Sequence, residues 1–359
     1  MTFPLSLTFD DVQIVPSLSD VESRTLCNLR TRITRNYRLD IPIVAAPMDT
    51  VCEAEMMRRL WHLGGLGFLH RFGSIDEQVE VVKEVLSDVG DYIVLSGDLD
   101  AAQLPFGACV GAKGDFVERG QTLVDAGVNI LLIDVAHGHH TMVRDAITRL
   151  KKEVKGTFDV VAGNVATYDG ARALCEWGAD AVRVGVGNGA VCTTRINTGS
   201  GVPQVTAIIE AVRACDEFDV PVMADGGMRY PGDVAKALAL GASTAMFGSL
   251  FAGTDESPGP LIRLGSWPNE QLYKEYRGSA SRNSKVARGE KDRNVEGVST
   301  TVPYKGSVTR IVDDLTDGVR SAMSYVGAHD MDTFCRNAEF TRITNAGAAE
   351  AQPHVAIKI

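Results

Sequence analysis

The length and composition of the chain are those of a soluble globular protein. Its 359 residues are 45% hydrophobic and 23% charged, enough for one large domain or two ordinary ones. No apolar run reaches the roughly 18 residues needed to span a bilayer, and the opening MTFPLSLTFDDV is acidic where a signal peptide is basic and then apolar. We therefore expect a cytoplasmic protein with no membrane partner.

Net charge and cysteine spacing exclude further classes. A net charge of -10 argues against a nucleic-acid partner, because nonspecific affinity for a phosphate backbone needs clustered basic charge. A basic pocket for one small phosphate is still compatible with this charge. The seven cysteines are scattered and include no Cys-x-x-Cys pair, so the sequence predicts neither a disulfide framework nor a zinc knuckle.

Short apolar runs alternate with helical patterns from about residue 41 to residue 253. In chain order the runs are IPIVAAPMD, LGFLHR, ACVGA, NILLIDVAHG, FDVVAGN, AVRVGVG, PVMADGG and TAMFGS. Helical stretches between them include 75–86, 117–126, 141–154, 169–177, 205–215 and 232–240. Continuous apolar strands alternating with helices indicate a parallel sheet covered by helices. Eight such units predict an α/β fold, a closed (β/α)8 TIM barrel. A doubly wound open sheet is the alternative, and the strand count favours the barrel.

The sequence changes character after the eighth run. Residues 279–294, SASRNSKVARGEKDRN, are charged and short of large apolar side chains, which predicts a mobile surface flap over about 279–295. Residues 308–344 regain helical periodicity and end in the β-like FTRIT, forming a C-terminal extension. No linker or low-complexity tract marks a second domain, so we expect one catalytic domain over residues 1–359.

The stretch GVGNGAVCTTR, residues 185–195, places Cys192 behind three glycines and before two hydroxyl side chains. Glycines let the backbone approach a ligand closely, and a thiol presented there can reach an electrophilic carbon. A structural cysteine on a glycine-rich turn is the alternative interpretation. The neighbouring loops decide between the two interpretations.

Glycine-rich loops also follow the seventh and eighth runs. MADGGMRYPGD places Asp225 at a strand end before two glycines, and FGSL places Gly248 and Ser249 at the next strand end. Loops after the last two strands are the usual phosphate site of a TIM barrel, and a carboxylate beside them suits a ribose diol. The loops together predict a nucleoside monophosphate whose base lies over Cys192.

These motifs resemble the IMP dehydrogenase and GMP reductase family. The resemblance covers nearly the whole chain, through LTFDDVQIVPS, IPIVAAPMDTV, IDVAHGH, VVAGNVAT, GVGNGAVCTTR, MADGGMRYPGDVAKALALGA, FGSLFAGTDESPG, YKEYRG, EGVSTTVPYKG and FTRITNAG. It implies an oxidoreductase acting on a purine nucleotide with NADPH or NAD. The thiolate of Cys192 attacks purine C2, hydride moves between C2 and the nicotinamide, and a covalent thioimidate forms.

The resemblance also implies a role for each site residue. Thr194 and Glu296 form a proton-handling pair, and Glu296 bonds the purine edge. Asp225 binds the ribose hydroxyls, and Met48 stacks on the base, although a core methionine would look the same. The further substrate-binding residues are Gly226, Gly227, Gly248, Ser249, Tyr276 and Gly278. The cofactor-binding residues are Asp134, Asn164 and Arg293. Backbone carbonyls of Gly187, Gly189 and Cys192 provide a site for K+, and the family assembly is a homotetramer or octamer.

The two family reactions differ in how the thioimidate is resolved. IMP dehydrogenase hydrolyses it to XMP, using an Arg-Tyr pair on the flap to activate water. GMP reductase forms it from GMP with loss of ammonia and reduces it with NADPH to IMP. The flap here is short, has no Arg-Tyr pair, and spaces Arg293 and Glu296 as reductases do. We therefore favour GMP reductase.

Other motifs keep two alternatives open. GMRYPGD, GSLFAGTDESPG and FTRITNAGAAEAQPH are closer to IMP dehydrogenase, and Arg71 stands where reductases carry a lysine. A nucleotide-binding paralogue without activity is the third reading, which the retained Cys192, Thr194, Asp225 and Glu296 oppose.

Some positions depart from both family patterns. Ala46, Asn188, Ala190 and Ser279 replace a serine, a proline, a serine and a methionine around the nucleotide, which leaves a modified or deoxyribose substrate open. The connection from residue 87 to residue 105 is too short for the paired cystathionine-β-synthase-like (CBS) modules that regulate most dehydrogenases. We expect this regulation to be absent.

Overall fold

Three short strands precede the barrel: β1 (Val12–Val15), β2 (Thr31–Arg32) and β3 (Arg38–Leu39). The computed structural model describes residues 3–96, 104–266, 268–287 and 295–352. β2 and β3 form an antiparallel hairpin. Its apolar residues Ile33, Tyr37 and Leu39 are buried in one cluster with barrel residues such as Val44 and Ile130. The hairpin therefore closes the N-terminal end of the barrel.

Eight parallel strands form a closed barrel. They are β4 (Ile43–Ala45), β5 (Leu66–Leu69), β6 (Gly107–Val110), β7 (Ile130–Asp134), β8 (Asp159–Val165), β9 (Ala181–Val184), β10 (Val222–Asp225) and β11 (Thr244–Phe247). Each strand pairs with the next, and β11 returns to β4 with Phe247 opposite Ala45. All eight apolar runs are strands, so the predicted TIM barrel is confirmed and the open doubly wound sheet is wrong.

Helices cover the barrel, and each of the six predicted helical stretches overlaps one of them. They are α1 (Ala54–His62), α2 (Ile75–Ser96), α3 (Phe116–Asp125), α4 (Thr141–Glu153), α5 (Tyr168–Glu176), α6 (Thr194–Thr198), α7 (Gln204–Asp216) and α8 (Pro231–Ala239). α4 shows why: its buried residues Val143, Ala146, Ile147 and Leu150 recur at helical spacing, so one face packs inward. The His140 side chain caps its first turn by accepting from the Met142 amide.

The chain after the barrel mixes strands and helices. They are β12 (Ile262–Leu264), β13 (Gln271–Arg277), α9 (Arg282–Ala287), β14 (Ser299–Pro303), α10 (Val308–Tyr325), α11 (Met331–Asn337), β15 (Glu339–Arg342) and α12 (Asn345–Glu350). The loop predicted from residue 279 is wrong over α9. Ser281 and Ser284 are buried there, and the Ser284 hydroxyl donates to the Gly278 carbonyl, so small polar side chains pack where apolar ones are missing. Residues 288–294 lie outside the described part of the chain.

The β-like FTRIT of the tail is a strand. β15 pairs antiparallel with β1, with Val15 opposite Glu339 and Val12 opposite Arg342. The Ile343 amide extends the pairing by donating to the Asp11 carbonyl at 3.0 Å. Within the described residues, no helix is both long and apolar enough to cross a bilayer.

Candidate active site

A cavity of about 570 Å³ opens among the loops at the C-terminal ends of the barrel strands. The structure brings together around it all the predicted site residues that it describes: Met48, Asp134, Asn164, Gly187, Gly189, Cys192, Thr194, Asp225, Gly226, Gly227, Gly248, Ser249, Tyr276, Gly278 and Glu296. Arg293 lies outside the described residues. Residues far apart in sequence therefore converge on one space, and their individual roles remain predictions.

The loop that carries Cys192 is fixed against the loop after β10. Gly185 has a φ of 149°, and a Cβ there would lie 2.2 Å from the Asp225 carbonyl oxygen, so only glycine allows the two loops to touch. The Asn188 side-chain amide donates to the same carbonyl at 2.8 Å. Gln204 joins β9 to β10 by donating to the carbonyls of Val184 and Asp225. These contacts fix the position of the Cys192 loop relative to the end of β10.

Cys192 begins a chain of three hydrogen-bonded side chains. Its Sγ lies 3.1 Å from Thr194 Oγ1, which donates to Glu296 Oε2 at 2.8 Å. A hydroxyl has one proton, so with Thr194 donating to Glu296 the thiol is the donor to Thr194. We name this set, Cys192, Thr194 and Glu296, the relay. It gives the thiol proton a direct route to a carboxylate.

Backbone pairing places Glu296 beside the cysteine loop. The Thr193 amide donates to the Glu296 carbonyl, and the Val298 amide donates to the Val191 carbonyl, both at 3.0 Å. Asn197 on α6 adds a side-chain clamp, because its Nδ2 donates to the Val295 carbonyl at 2.7 Å and to the Thr193 hydroxyl at 3.0 Å. Sequence reasoning missed Asn197, since nothing in its local pattern reveals a partner on the flap.

A buried arginine joins the two predicted ligand-binding carboxylates. Arg183 Nη1 pairs with Asp134 Oδ1 at 2.9 Å, while Nε and Nη2 each lie 3.0 Å from Asp225 Oδ2. Asn164 Nδ2 donates to the same Asp225 oxygen at 2.8 Å. Burial disfavours the charge on Arg183, but Asp225 and Asp134 outweigh it and raise the pKa of the guanidinium. We name these four residues the charge array.

Sequence reasoning also missed Arg183 as a site residue. The available signal was a charged residue inside the otherwise apolar run AVRV, the segment that forms β9. A charge inside a buried strand needs a partner, because an unpaired buried charge is strongly disfavoured. Arg229 and Lys285 are two further cations of the cavity wall that the motifs did not single out.

A further part of the cavity wall contains the predicted phosphate residues. A Cβ on Gly248 would lie 2.9 Å from the Tyr276 hydroxyl and 3.1 Å from Met48 Sδ, so these three residues meet closely. Tyr276 is buried, and burial together with the nearby Asp225 raises the pKa of its hydroxyl. Lys305 holds the adjoining loop, because its Nζ donates to the carbonyl of Ser249 at 2.6 Å.

The cavity has suitable groups for a nicotinamide. Asp134, Val135, Ala136 and Asn164 line one side of it with a carboxylate, small apolar surfaces and an amide. Asn164 Nδ2 is used by Gly185 and Asp225, while its Oδ1 has no hydrogen-bond partner among the described residues. A carboxamide needs both polar partners and a flat apolar surface, so these residues fit the group.

Comparisons with known proteins agree with this site. The model of the IMP dehydrogenase / GMP reductase domain matches residues 6–354. An inosine-5'-monophosphate dehydrogenase from Nitrosopumilus maritimus is 35% identical over 476 residues, covering 99% of this chain and 99% of that protein. One from Cryptosporidium parvum is 35% identical over 387 residues, covering 97% and 94%. The structure of a GMP reductase from Trypanosoma brucei, in complex with guanosine 5'-monophosphate, aligns with a TM-score of 0.91 at 31% identity and 99% coverage of both chains.

A TIM barrel with a cysteine-bearing loop after β9 and a match of this extent define an oxidoreductase. The chain belongs to the IMP dehydrogenase/GMP reductase family, whose members use NAD(P)(H). The alignment with the Nitrosopumilus protein is longer than the 359 residues here, so that relative has residues without a counterpart in this chain. The alignment with the Cryptosporidium protein is much nearer to this length. A short chain therefore occurs among dehydrogenases too.

Proposed function

We propose that this chain is a GMP reductase, which converts GMP, NADPH and a proton into IMP, ammonia and NADP+. The relay from Cys192 through Thr194 to Glu296 supports the covalent chemistry, and the reductive direction rests on residues 279–296, which contain no tyrosine for an Arg-Tyr pair. The relay provides a nucleophile and a proton carrier for the leaving amine on the same side of the cavity. It does so without any group dedicated to activating water.

The first step uses the relay in one direction and then in the other. The Cys192 thiol passes its proton through Thr194 to Glu296, and the thiolate adds to purine C2. Glu296 then returns the proton to the exocyclic amino group, the C2–N bond breaks, and ammonia leaves. The product is a thioimidate in which C2 is bonded to Cys192 Sγ. Atoms and protons balance with no added base.

The second step returns the cysteine. A reduced nicotinamide, when bound, would supply a hydride to C2. Cleavage of the C2–S bond then releases IMP and leaves Cys192 as a thiolate. Asp134 and Asn164 would hold the nicotinamide at the wall that they line. The thiolate then takes one proton from solvent, which a partly exposed loop allows.

Nucleotide binding is assigned to Asp225 and to the glycine loops that follow β10 and β11. Asp225 accepts the ribose hydroxyls, and the loops at Gly226 and Gly248 receive the phosphate, with Arg229 as a nearby cation. Ala46 is buried on the cavity wall and offers no hydroxyl to the ribose. Deoxyguanosine monophosphate is therefore a substrate to compare with GMP.

IMP dehydrogenase is the second candidate function, and the curated relatives named above favour it, because both are dehydrogenases. In that direction the relay would take a proton from water instead of returning one to an amine. Residues 279–296 contain no tyrosine, so the Arg-Tyr water-activating pair of the resemblance has no equivalent there. This difference is why we place the reductase first.

We propose one catalytic domain without the regulatory CBS module, a flap over about 279–295, and a tetramer or octamer. The proposal also keeps K+ at the carbonyls of Gly187, Gly189 and Cys192. The Gly189 carbonyl already accepts from the Cys192 amide at 3.0 Å, which leaves it one lone pair for a cation. Size-exclusion chromatography with light scattering tests the oligomeric state. Exchange of K+ for Li+ in the activity assay tests the cation site.

A paired assay tests the direction of the reaction. One cuvette contains GMP or dGMP with NADPH, and the other contains IMP or dIMP with NAD and K+. We expect oxidation of NADPH with one ammonia released for each IMP formed. Production of NADH with XMP, and no oxidation of NADPH, would assign the chain to the dehydrogenases. Turnover in neither cuvette, with tight nucleotide binding, would support the inactive paralogue.

A further inference from the structure

Arg183 is held rigidly in the wall of the barrel. It lies in β9 directly opposite Gly163 of β8, and its residue is 7% exposed. A Cβ on Gly163 would lie 2.4 Å from the Arg183 carbonyl oxygen and 2.7 Å from its Cβ, so the two strands are in close contact. The stem of Arg183 therefore has no room to shift toward β8.

The guanidinium of Arg183 connects two carboxylates that have separate roles in the proposed function. Asp134 ends β7 on the nicotinamide side, and Asp225 ends β10 on the ribose side. Nη1 of the planar guanidinium contacts Asp134, and Nε and Nη2 contact Asp225. A lysine ammonium is a point charge and cannot reproduce this forked geometry.

One oxygen of each carboxylate has no hydrogen-bond partner in the described part of the chain. The bonds described for Asp225 all end on Oδ2, and those of Asp134 end on Oδ1, so Asp225 Oδ1 and Asp134 Oδ2 lack partners among the described residues. Both residues line the cavity. Each carboxylate therefore presents one oxygen to a ligand while Arg183 holds the other.

We infer that Arg183 is a positioning residue that couples binding of the nucleotide ribose to binding of the nicotinamide cofactor. This inference rests on the proposed function for its assignment of Asp225 and Asp134 to those two ligands. The backbone of Arg183 is fixed, but its guanidinium and the carboxylates of Asp134 and Asp225 are held only by side-chain bonds. The first ligand to bond its carboxylate therefore restricts the motion of the other side chains of the charge array through Arg183. The second ligand then finds its own carboxylate already oriented, so less ordering entropy is lost when it binds.

Equilibrium binding to a chain that cannot turn over tests the coupling. Cys192→Ala removes the nucleophile, so calorimetry can measure GMP binding with and without saturating NADPH, and IMP binding with and without NAD. The coupling factor is the affinity for a nucleotide with saturating cofactor divided by its affinity without cofactor. It is measured in Cys192→Ala alone and with Arg183→Lys, Arg183→Met or Arg172→Met added.

Arg172→Met is the matched control. Arg172 also lies between two carboxylates, Glu176 and Glu217, at 2.9 and 2.7 Å, but these residues are on the surface and outside the cavity. Loss of an arginine between two acids is common to both changes. Only Arg183 contacts the residues assigned to the ligands.

We expect a coupling factor on the order of fivefold or more in Cys192→Ala, the parent of this series, and in the Arg172 control. In Arg183→Lys we expect it to fall to within about twofold of one, because the ammonium cannot hold both acids in the required geometry. Arg183→Met extends the test if it folds, and Arg183→Lys decides the result if it does not.

A coupling factor near one in the parent, or an unchanged coupling factor in Arg183→Lys, overturns the inference. Neither result bears on the proposed function, which the paired assay tests separately. Coupling seen only with IMP and NAD supports Arg183 as the connection but contradicts the reductive direction. Absence of binding by both nucleotides overturns the inference and the proposed function together. Reductase kinetics on the Cys192-intact Arg183→Lys chain add a readout: both KM values should rise more than kcat falls.

Discussion

The relay and the charge array border the same cavity but are built differently. The relay lies on the loop after β9, at the start of α6, and beside the flap, and its three side chains are all partly exposed. The charge array lies at strand ends, where the Arg183, Asp134 and Asp225 side chains are 9%, 16% and 17% exposed. The groups proposed to exchange protons are partly exposed, and the groups proposed to orient ligands lie at largely buried strand ends of the barrel.

This difference separates chemistry from binding in a way that kinetics can measure. Changes in the relay should lower kcat and leave KM nearly constant, because they act on bonds made and broken at C2. Changes in the charge array should raise KM, because they act on ligand orientation before the reaction. Single substitutions in the two regions test this separation.

Removal of the nucleophile gives the largest effect. Cys192→Ala should lower kcat by roughly 10⁴-fold or more, since no other group is placed to form the thioimidate. The nucleotide Kd, measured by calorimetry, should stay within about threefold of the unmodified value. Cys27→Ala, a buried thiol far from the cavity, is the control. Surviving turnover in Cys192→Ala would disprove the covalent mechanism.

Loss of the proton carrier comes second. Glu296→Gln keeps an acceptor for Thr194 but cannot hold the thiol proton, so kcat should fall about a hundredfold or more. The nucleotide KM should change little unless the purine-edge bond predicted for Glu296 contributes much to binding. Glu339→Gln on the exposed strand β15 is the matched control. A rise in KM with constant kcat would mean that Glu296 binds the nucleotide and is not the proton carrier.

Asp225, the proposed ribose ligand, tests the charge array. Asp225→Asn should raise the KM for GMP about tenfold to a hundredfold, because it replaces a charged acceptor of ribose hydroxyls and leaves part of Arg183 unpaired. The effect should be smaller for dGMP, which has one hydroxyl fewer to lose. Steady-state kinetics with both nucleotides make the comparison. Equal effects on GMP and dGMP would mean that Asp225 contacts the 3'-hydroxyl or acts only through Arg183.

The clamp between α6 and the flap is expected to have the smallest effect. Asn197→Ala removes two hydrogen bonds that hold the segment before Glu296, so kcat should fall about threefold to tenfold. Asn197→Asp keeps the size but loses the donor, and should behave like the alanine variant. Single-turnover kinetics with GMP alone, following ammonia release, locate the loss in the first step. A change confined to KM would contradict this position of Asn197.

The barrel could be predicted from sequence because its signal is repeated. Each of the eight apolar runs is short and continuous, and each gives the same conclusion, so an error in one changes little. The glycine loops around Asp225 and Gly248 were found for a similar reason, since strand ends of a TIM barrel meet at one face. The flap gave a weaker signal, and α9 was missed because its packing uses buried serine hydroxyls.

Contacts between distant segments could not be predicted from local patterns. The partner of Thr194 was named only through the resemblance to a family, and the bond from Asn197 to Val295 has no local sequence signal. Arg183 is intermediate between these cases. Its charge within AVRV requires a partner, but the choice of Asp134 and Asp225 depends on the order in which strands close the barrel.

The pairing of β1 with β15 has a consequence for the biosynthesis of the enzyme. Asp10, just before β1, pairs with Arg229 on the cavity wall, and the Asp11 carbonyl is held by Ile343 after β15. On the ribosome the eight barrel strands emerge well before β15, and domains fold as their residues become available. β1 therefore has no partner strand until translation has passed Arg342. The bond from Ile343 that fixes Asp11, beside the Asp10–Arg229 pair at the cavity edge, is therefore one of the late contacts of the nascent chain.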